Sequence, residues 1–397
     1  MDALAEIDAL VEAGRRAPGS DAERRAARHL ERRLASLGRD VESESIDVWP
    51  NWPLAYAILA ALGVLGSVLS VSIPVVGAVL ALIGALLLFL DASLLLPTVR
   101  RLLGRRASQN VVSWGDRAKP GLLVLVAHYD AGRGGLAMST RSEERRAALG
   151  RLIHRPIGPL EPLFWSSMAV LLCSLLRLAG VSGVALTVAQ FIPTVLLIIA
   201  IALLIDIALA GTKGGENDNA SGVALALLLA ERLGGNLEHF DVTVLLTGGQ
   251  KAVAAGTRGF IRRHKRELAL ERTVIVNLDE VGSGTVRYAR REGPLLSAKA
   301  HVQLIRLSDQ IAEDAGAESG AAAVVKRSPS DAYAARAAGL PAITITCRGS
   351  LGYAEPRVDE RAIERAEAFC AELIGRLDAE LGPDLPAPVE VSEPEGP

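Results

Sequence analysis

The chain has 397 residues, half of them hydrophobic, with 43 Lys and Arg against 45 Asp and Glu for a formal net charge of −2. A near-neutral balance argues against a nucleic-acid partner, which needs a basic excess. Three cysteines, Cys173, Cys347 and Cys370, are too few and too scattered for a disulfide frame or a structural zinc knuckle, which fits a reducing compartment.

The opening MDALAEIDALVEAGRR is acidic and amphipathic and does not read as a cleavable signal. Ser20 and Glu23 have the spacing of a capping box at the start of SDAERRAARHLERRLASLG, and Gly38 marks the end of that helix. A strand-like DVESESIDV follows. Residues 53–97 then read as a transmembrane hairpin, PLAYAILAALGVLGSVLSVS and PVVGAVLALIGALLLFLDASLLL, and 163–210 as a second. Each block is long enough for two crossings at ~20 residues apiece. Apolar residues surround these helices on every face, which disfavours buried hairpins of a soluble domain. Trp49, Trp52 and Trp165 stand at the edges, as an interfacial belt requires, and Asp91, Arg177 and Asp206 lie near span ends, where snorkelling accommodates a charge.

Arginines at 100, 101, 105, 106, 145, 146, 151 and 155, with Lys213, flank the hairpins, whereas the short turns near Ile73 and Val181 carry no Lys or Arg. The expectation is an integral membrane protein with four transmembrane helices and a cytoplasmic soluble domain, its arginine clusters facing membrane lipid. The stretch 133–160 is a basic membrane-surface linker in which STRSEERRAALGRLIHR suits an interfacial helix.

The soluble part, 1–50, 107–132 and 212–382, alternates strands and helices. QNVVSW and GLLVLVAHYD read as strands, the second central and parallel; NASGVALALLLAERLGG is a helix and FDVTVLLTG a strand; then come KAVAAGTRGFIRRHKREL, RTVIVNLDEVG, SAKAHVQLIRLSDQIAEDAG, PAITITC and a closing helix from DERAIER. That alternation predicts an α/β domain with a mostly parallel central sheet covered on both faces. Residues 383–397 are Pro-rich and acidic and are expected to be disordered.

Functional groups of such sheets gather at the carboxyl ends of strands. Those ends hold His128 and Asp130 in AHYD, Gln250 and Lys251 in TGGQK, and Asp279 and Glu280 in NLDEVG, with Asp218 in ENDNASG at a helix start. Singly, Asp218 or Asn219 reads as a helix cap, His128 as a hydrogen-bonded strand-end histidine and Asp279 as a turn cap. Together they suit a zinc-type metal site.

In the order AHYD, NDNASG, GTRGF, NLDEVG and SPSDAYAARAAGLPAITI, the sequence resembles the zinc aminopeptidases of metallopeptidase family twenty-eight, relatives of glutamate carboxypeptidase and the transferrin receptor. The resemblance covers nearly all of the soluble part and implies a phosphorylase/hydrolase-like aminopeptidase fold. It further implies a two-zinc centre with Asp218 as the bridge, His128 and Asp279 on the first metal, and Asp130 orienting His128. Where the family has two adjacent glutamates, a general base and a ligand of the second zinc, this chain has Gln250 and Lys251. The family's last ligand, a histidine after a tyrosine, falls at Ala354 after Tyr353, and no histidine follows His301.

A glutamine amide cannot serve as a general base near neutral pH. The Lys251 ammonium is expected to point at Asp218 in place of the second metal. One zinc on His128, Asp218 and Asp279 remains chemically adequate, with Glu216 or Glu280 as a substitute base. The leading expectation is a catalytically impaired peptidase-like membrane protein that acts in binding or assembly, with a peptide or protein partner. The alternatives are an active single-zinc hydrolase, or a bundle that itself transports or binds lipid, although Pro193 is the one helix interruption that suggests such a site.

Overall fold

The computed structural model describes residues 2–316, 320–349 and 357–383. Its sheet is built around β3 (Gly121–His128), an unbroken apolar run flanked on both sides by parallel partners, β4 (Phe240–Thr247) and β5 (Thr273–Leu278). Alternate side chains of β3 serve two different cores. Leu123, Leu125 and Ala127 face α1 (Ala3–Glu12), α2 (Asp21–Ser36), α8 (Ser221–Leu233) and α12 (Glu360–Arg376), whereas Val124 and Val126 pack with Phe260 of α9 (Ala255–Arg263) and Ala332 of α11 (Asp331–Ala337). Burial on both faces is what a continuous apolar strand demands.

The remaining strands are β1 (Glu42–Val48), β2 (Arg106–Ser113), β6 (Thr285–Glu292), β7 (Ala298–Lys299), β8 (Ala322–Lys326) and β9 (Ala342–Arg348). The order is β1-β2-β4-β3-β5-β9-β6-β7, with β8 on β6. The sheet is therefore mixed rather than mostly parallel: β4, β3, β5 and β9 run together, but β1 with β2, β2 with β4, β9 with β6, and β6 with β7 are antiparallel. One reason lies in the register. Val48 pairs with Arg106, so the whole segment between them serves as the loop of a β-hairpin, and hairpin strands are antiparallel. Periodicity also misses β6, since TVRYARRE carries three arginines although Val286, Tyr288 and Ala289 are buried.

The capping-box expectation is half met. Ser20 accepts from Glu23 N, but the Glu23 carboxylate receives Gly19 N at 2.6 Å and Gly249 N at 3.0 Å instead of the Ser20 amide. It thus ties α2 to the turn after β4.

Among the described residues, four helices are long and apolar enough to cross a membrane: α3 (Trp52–Ser72), α4 (Pro74–Ala92), α6 (Glu161–Leu178) and α7 (Val184–Leu209). They pack as one bundle around Ala60, Ala81, Ala85, Val170 and Leu197. Small residues allow α3 and α4 to approach closely; a Cβ on Gly77 would lie 2.3 Å from the Ser70 backbone, a contact no native Cβ makes. The outward side chains, among them Leu65, Val68, Phe191 and Ile192, are apolar and exposed.

Asp91 departs from the snorkelling expectation. It is fully buried, pairs with Arg100 Nε at 3.1 Å, and accepts from Tyr56 OH at 3.1 Å and Thr98 N at 2.9 Å. Arg100 Nη1 in turn donates to the Ala252 carbonyl at 3.3 Å, linking the end of α4 to the turn that carries Gln250 and Lys251. The linker expected to lie on a surface forms α5 (Thr140–Leu152). Asp206, near the end of α7, accepts from Leu136 N at 2.6 Å in the loop ahead of α5.

Candidate functional site

The parallel strands end level with one another, His128 of β3 opposite Thr247 of β4, and their exits form the site. After β4 the chain enters a tight turn in which Gly249, Val253 and Ala254 have φ of +63°, +69° and +50°. Two of those are non-glycine residues in the left-handed region, which costs energy and must be held by surrounding contacts. Asp130 supplies part of that hold. Its two carboxylate oxygens accept from Gln250 N at 3.0 Å and Lys251 N at 2.8 Å, while Oδ1 lies 3.3 Å from His128 Nδ1. Asp130 therefore contacts His128 as expected and also fixes the turn. The buried Arg16 guanidinium joins the neighbouring loops, donating to Tyr129 O and to Asn219 Oδ1.

Asp218 sits in a single π-type turn, Glu216–Ala220, just before α8. The Lys251 ammonium donates to its Oδ1 at 2.8 Å. Burial favours the neutral forms of both groups, but Lys251 and His128 hold the Asp218 carboxyl below its ordinary value, and Asp218, Asp279 and Glu280 hold the Lys251 ammonium above its own. Both stay charged near neutral pH.

A second lysine, absent from the sequence reading, completes the pattern. Lys326 ends β8 and its buried ammonium contacts Asp279 Oδ2 directly, with Glu280 Oε2 at 3.7 Å. The signal was present in AAAVVK, a charge at the exit of an apolar run, the same cue that singled out Lys251. Glu280 is further paired to Arg348 at 2.5 Å. Burial would raise its pKa, but Arg348 and Lys326 hold the carboxyl below its ordinary value. An ion-paired carboxylate of this kind is a poor proton acceptor, so Glu280 does not fit the substitute-base role. Glu216 opens the π-type turn and lines the adjoining cavity.

Gln250 is buried, its side-chain amide donating to Pro329 O at 3.0 Å while its Oε1 has no hydrogen-bond partner among the described residues. Among the described residues, His128 Nε2 and Asp279 Oδ1 are also buried without hydrogen-bond partners, and they stand 3.4 Å apart. Burial and Lys251 push the His128 pKa down, but Asp130 and Asp279 outweigh them and carry it up to about 10. Ala354 and Tyr353 lie outside the described residues.

A nitrogen and an oxygen at 3.4 Å span a distance that two ligands of one zinc would have. Asp218 does not complete a set with them, however: among the described residues no three His, Cys, Asp or Glu side chains gather as a metal site. Each expected aspartate ligand instead holds an ammonium, Lys251 on Asp218 and Lys326 on Asp279. As arranged, these residues do not fit a resident zinc centre.

A cavity of about 1280 Å³ adjoins the site. Its wall runs from Asp218, Lys251 and Lys326 to Trp52 and Tyr56 in the first turns of α3 and to Leu160 ahead of α6, with α5 along one side.

Residues 205–367 match the model of peptidase family M28. No curated relative matches the chain. Among solved structures, the zinc aminopeptidase BSAP from Bacillus subtilis is 11% identical with a TM-score of 0.51, covering 98% of both chains. A glutaminyl cyclase from Tannerella forsythia is 12% identical with a TM-score of 0.53, covering 94% of this chain and 96% of its own. The LapA aminopeptidase of Legionella pneumophila, 10% identical, has a TM-score of 0.51 and covers 97% of this chain and 72% of its own. At such identities the likeness is one of fold. The stretch that matches the model of peptidase family M28 carries Asp218, Lys251, Asp279 and Lys326.

Proposed function

We propose that this chain is a membrane-embedded, peptidase-like protein whose site binds rather than hydrolyses, two lysines standing where metal would be. One observation carries this reading: Lys251 and Lys326 each place an ammonium on an aspartate that the family resemblance makes a zinc ligand. A dication beside two ammonium groups, that of Lys326 buried and that of Lys251 half-buried, is electrostatically disfavoured. Gln250 occupies the general-base position with an amide that cannot take a proton from water. The family likeness supports zinc as the metal of this fold; on our reading the number of ions here is none.

The four long apolar helices support two transmembrane hairpins, and the flanking arginines support a cytoplasmic soluble domain. Its partners on this reading are membrane lipid and a peptide or protein. A second reading, a single-zinc hydrolase, draws on the facing His128 Nε2 and Asp279 Oδ1, both without hydrogen-bond partners among the described residues. It requires Lys326 to leave Asp279.

The deciding experiment purifies the full chain, measures zinc by elemental analysis, and assays aminoacyl p-nitroanilides. We expect substoichiometric zinc and no turnover. Stoichiometric zinc with turnover that a chelator abolishes would overturn the binding reading in favour of the hydrolase. Extraction at alkaline pH tests the membrane half separately, and release of the chain into the supernatant would refute it.

A further inference from the structure

The cavity beside the site has a charge composition that its lysine-substituted centre does not use. Among the described residues, ten lysine and arginine side chains line it against five aspartates and glutamates. Asp218, Asp279 and Glu280 are already neutralised by Lys251, Lys326 and Arg348. Three of the other cations spend their hydrogen bonds on neutral carbonyls: Arg133 on Ala208 O at 2.8 Å, Arg146 on Ala137 O at 2.9 Å and Lys213 on Met138 O at 2.5 Å. These contacts orient the side chains, and although the Glu143 carboxyl acts on both Arg146 and Lys213, the seven cations that remain outnumber Glu143 and Glu216 in the lining.

The same three cations lie at the ends of the long apolar helices. Arg133 bridges the last turn of α7, through Ala208, and Asn51 at the start of α3, 3.4 Å from its other nitrogen. The loop holding Ala137 and Met138 is itself docked on α7 by Asp206. Beside them the cavity wall turns apolar and aromatic, with Trp52, Tyr56, Met138 and Leu160. A positive ring next to an apolar opening at the ends of membrane-length helices complements a molecule with a phosphate at one end and hydrocarbon at the other.

We propose that this cavity binds one anionic phospholipid, entering sideways between the starts of α3 and α6. Arg133, Arg146 and Lys213 hold its phosphate, and its chains lie against Trp52 and Tyr56. The proposal rests on the membrane reading above but not on the loss of catalysis, and its test uses neither extraction nor turnover.

The test uses the purified full chain in a zwitterionic detergent and a short-chain phosphatidic acid brominated on its acyl chains, which quenches nearby tryptophan. Saturable quenching is expected, lost in Trp52→Phe, and absent with the brominated phosphocholine analogue at equal concentration. Arg146→Gln and Lys213→Gln should each raise the half-quenching concentration by roughly tenfold, the value of one charge-assisted hydrogen bond, with thermal unfolding of each variant confirming an intact fold. Equal quenching by the two lipids, or unchanged binding in both variants when both are folded, overturns the proposal. Inorganic phosphate competing as well as the lipid also overturns it, because the site would then recognise free anion rather than an amphiphile.

Discussion

The Lys251 ammonium lies 2.8 Å from Asp218 Oδ1, on the aspartate that the family resemblance assigns as the bridge between two zinc ions. If that ammonium replaces a metal electrostatically, its removal must cost stability. Both side chains keep roughly a quarter of their surface exposed, at 26% and 28%, so water screens part of the loss and Lys251→Met is expected to destabilise by about 2 kcal/mol. Thermal unfolding checks this. An unchanged or raised midpoint would show that the lysine fills space and no more.

The two lysines should also set metal affinity. Replacing both, as Lys251→Ala with Lys326→Ala, removes two positive charges from the neighbourhood of Asp218 and Asp279 and frees their oxygens. Zinc affinity measured by competition with a chromophoric chelator should then rise by at least roughly tenfold, since each like charge at short range costs on the order of 1 kcal/mol or more. Equal affinity in wild type and double variant would mean that these lysines do not exclude the metal.

Glu23 gives the fold a pH dependence. Burial and the nearby Asp130 raise its carboxyl from 4.5 to about 8, against the pull of the Gly19 and Gly249 amides and Ser108. An acid whose folded pKa is raised binds more protons when folded than unfolded. Its contribution to stability is full below about 4.5 and is lost as pH rises through about 8. The unfolding midpoint should therefore fall across that window, and Glu23→Gln should flatten the slope. A parallel slope in the variant would assign the effect elsewhere.

Asp91 and Arg100 form a pair with almost no exposure, at 0% and 2% of their side-chain surface. Arg100→Met leaves a buried carboxylate without its cation, at an expected cost of about 3–5 kcal/mol, whereas Asp91→Asn together with Arg100→Met should recover more than half of the loss. Unfolding of the single and double variants in detergent measures the coupling. Additive losses would remove Arg100 as the link between α4 and the Gln250 turn.

The residues differ in how much they disclose before folding. β3, β4, β5 and β9 were legible because burial on both faces leaves short runs rich in apolar and β-branched residues, and the four long helices because charges fall only near their ends. The antiparallel margins were not: the pairing of Val48 with Arg106 spans a connection that no local pattern records. The Lys251 contact with Asp218 followed from the family positions, whereas Lys326 reaches Asp279 across 47 residues. Asp91 misled because proximity to a helix end suggested solvent, while Tyr56, Thr98 and Arg100 instead enclose it. Tertiary partners decided each of these cases.

His128 and Asp130 precede α6 and α7 in the chain, while Asp218, Lys251 and Asp279 follow them. During synthesis the first part of the site is thus made before the second pair of long helices, and Asp218 arrives only after both have emerged. Until then Asp130 has neither the Gln250 nor the Lys251 amide to bind, and the left-handed turn they form has no anchor. Closure of the site is therefore a late event in synthesis, and a chain arrested between residues 130 and 218 has only the contact of His128 with Asp130 to begin it.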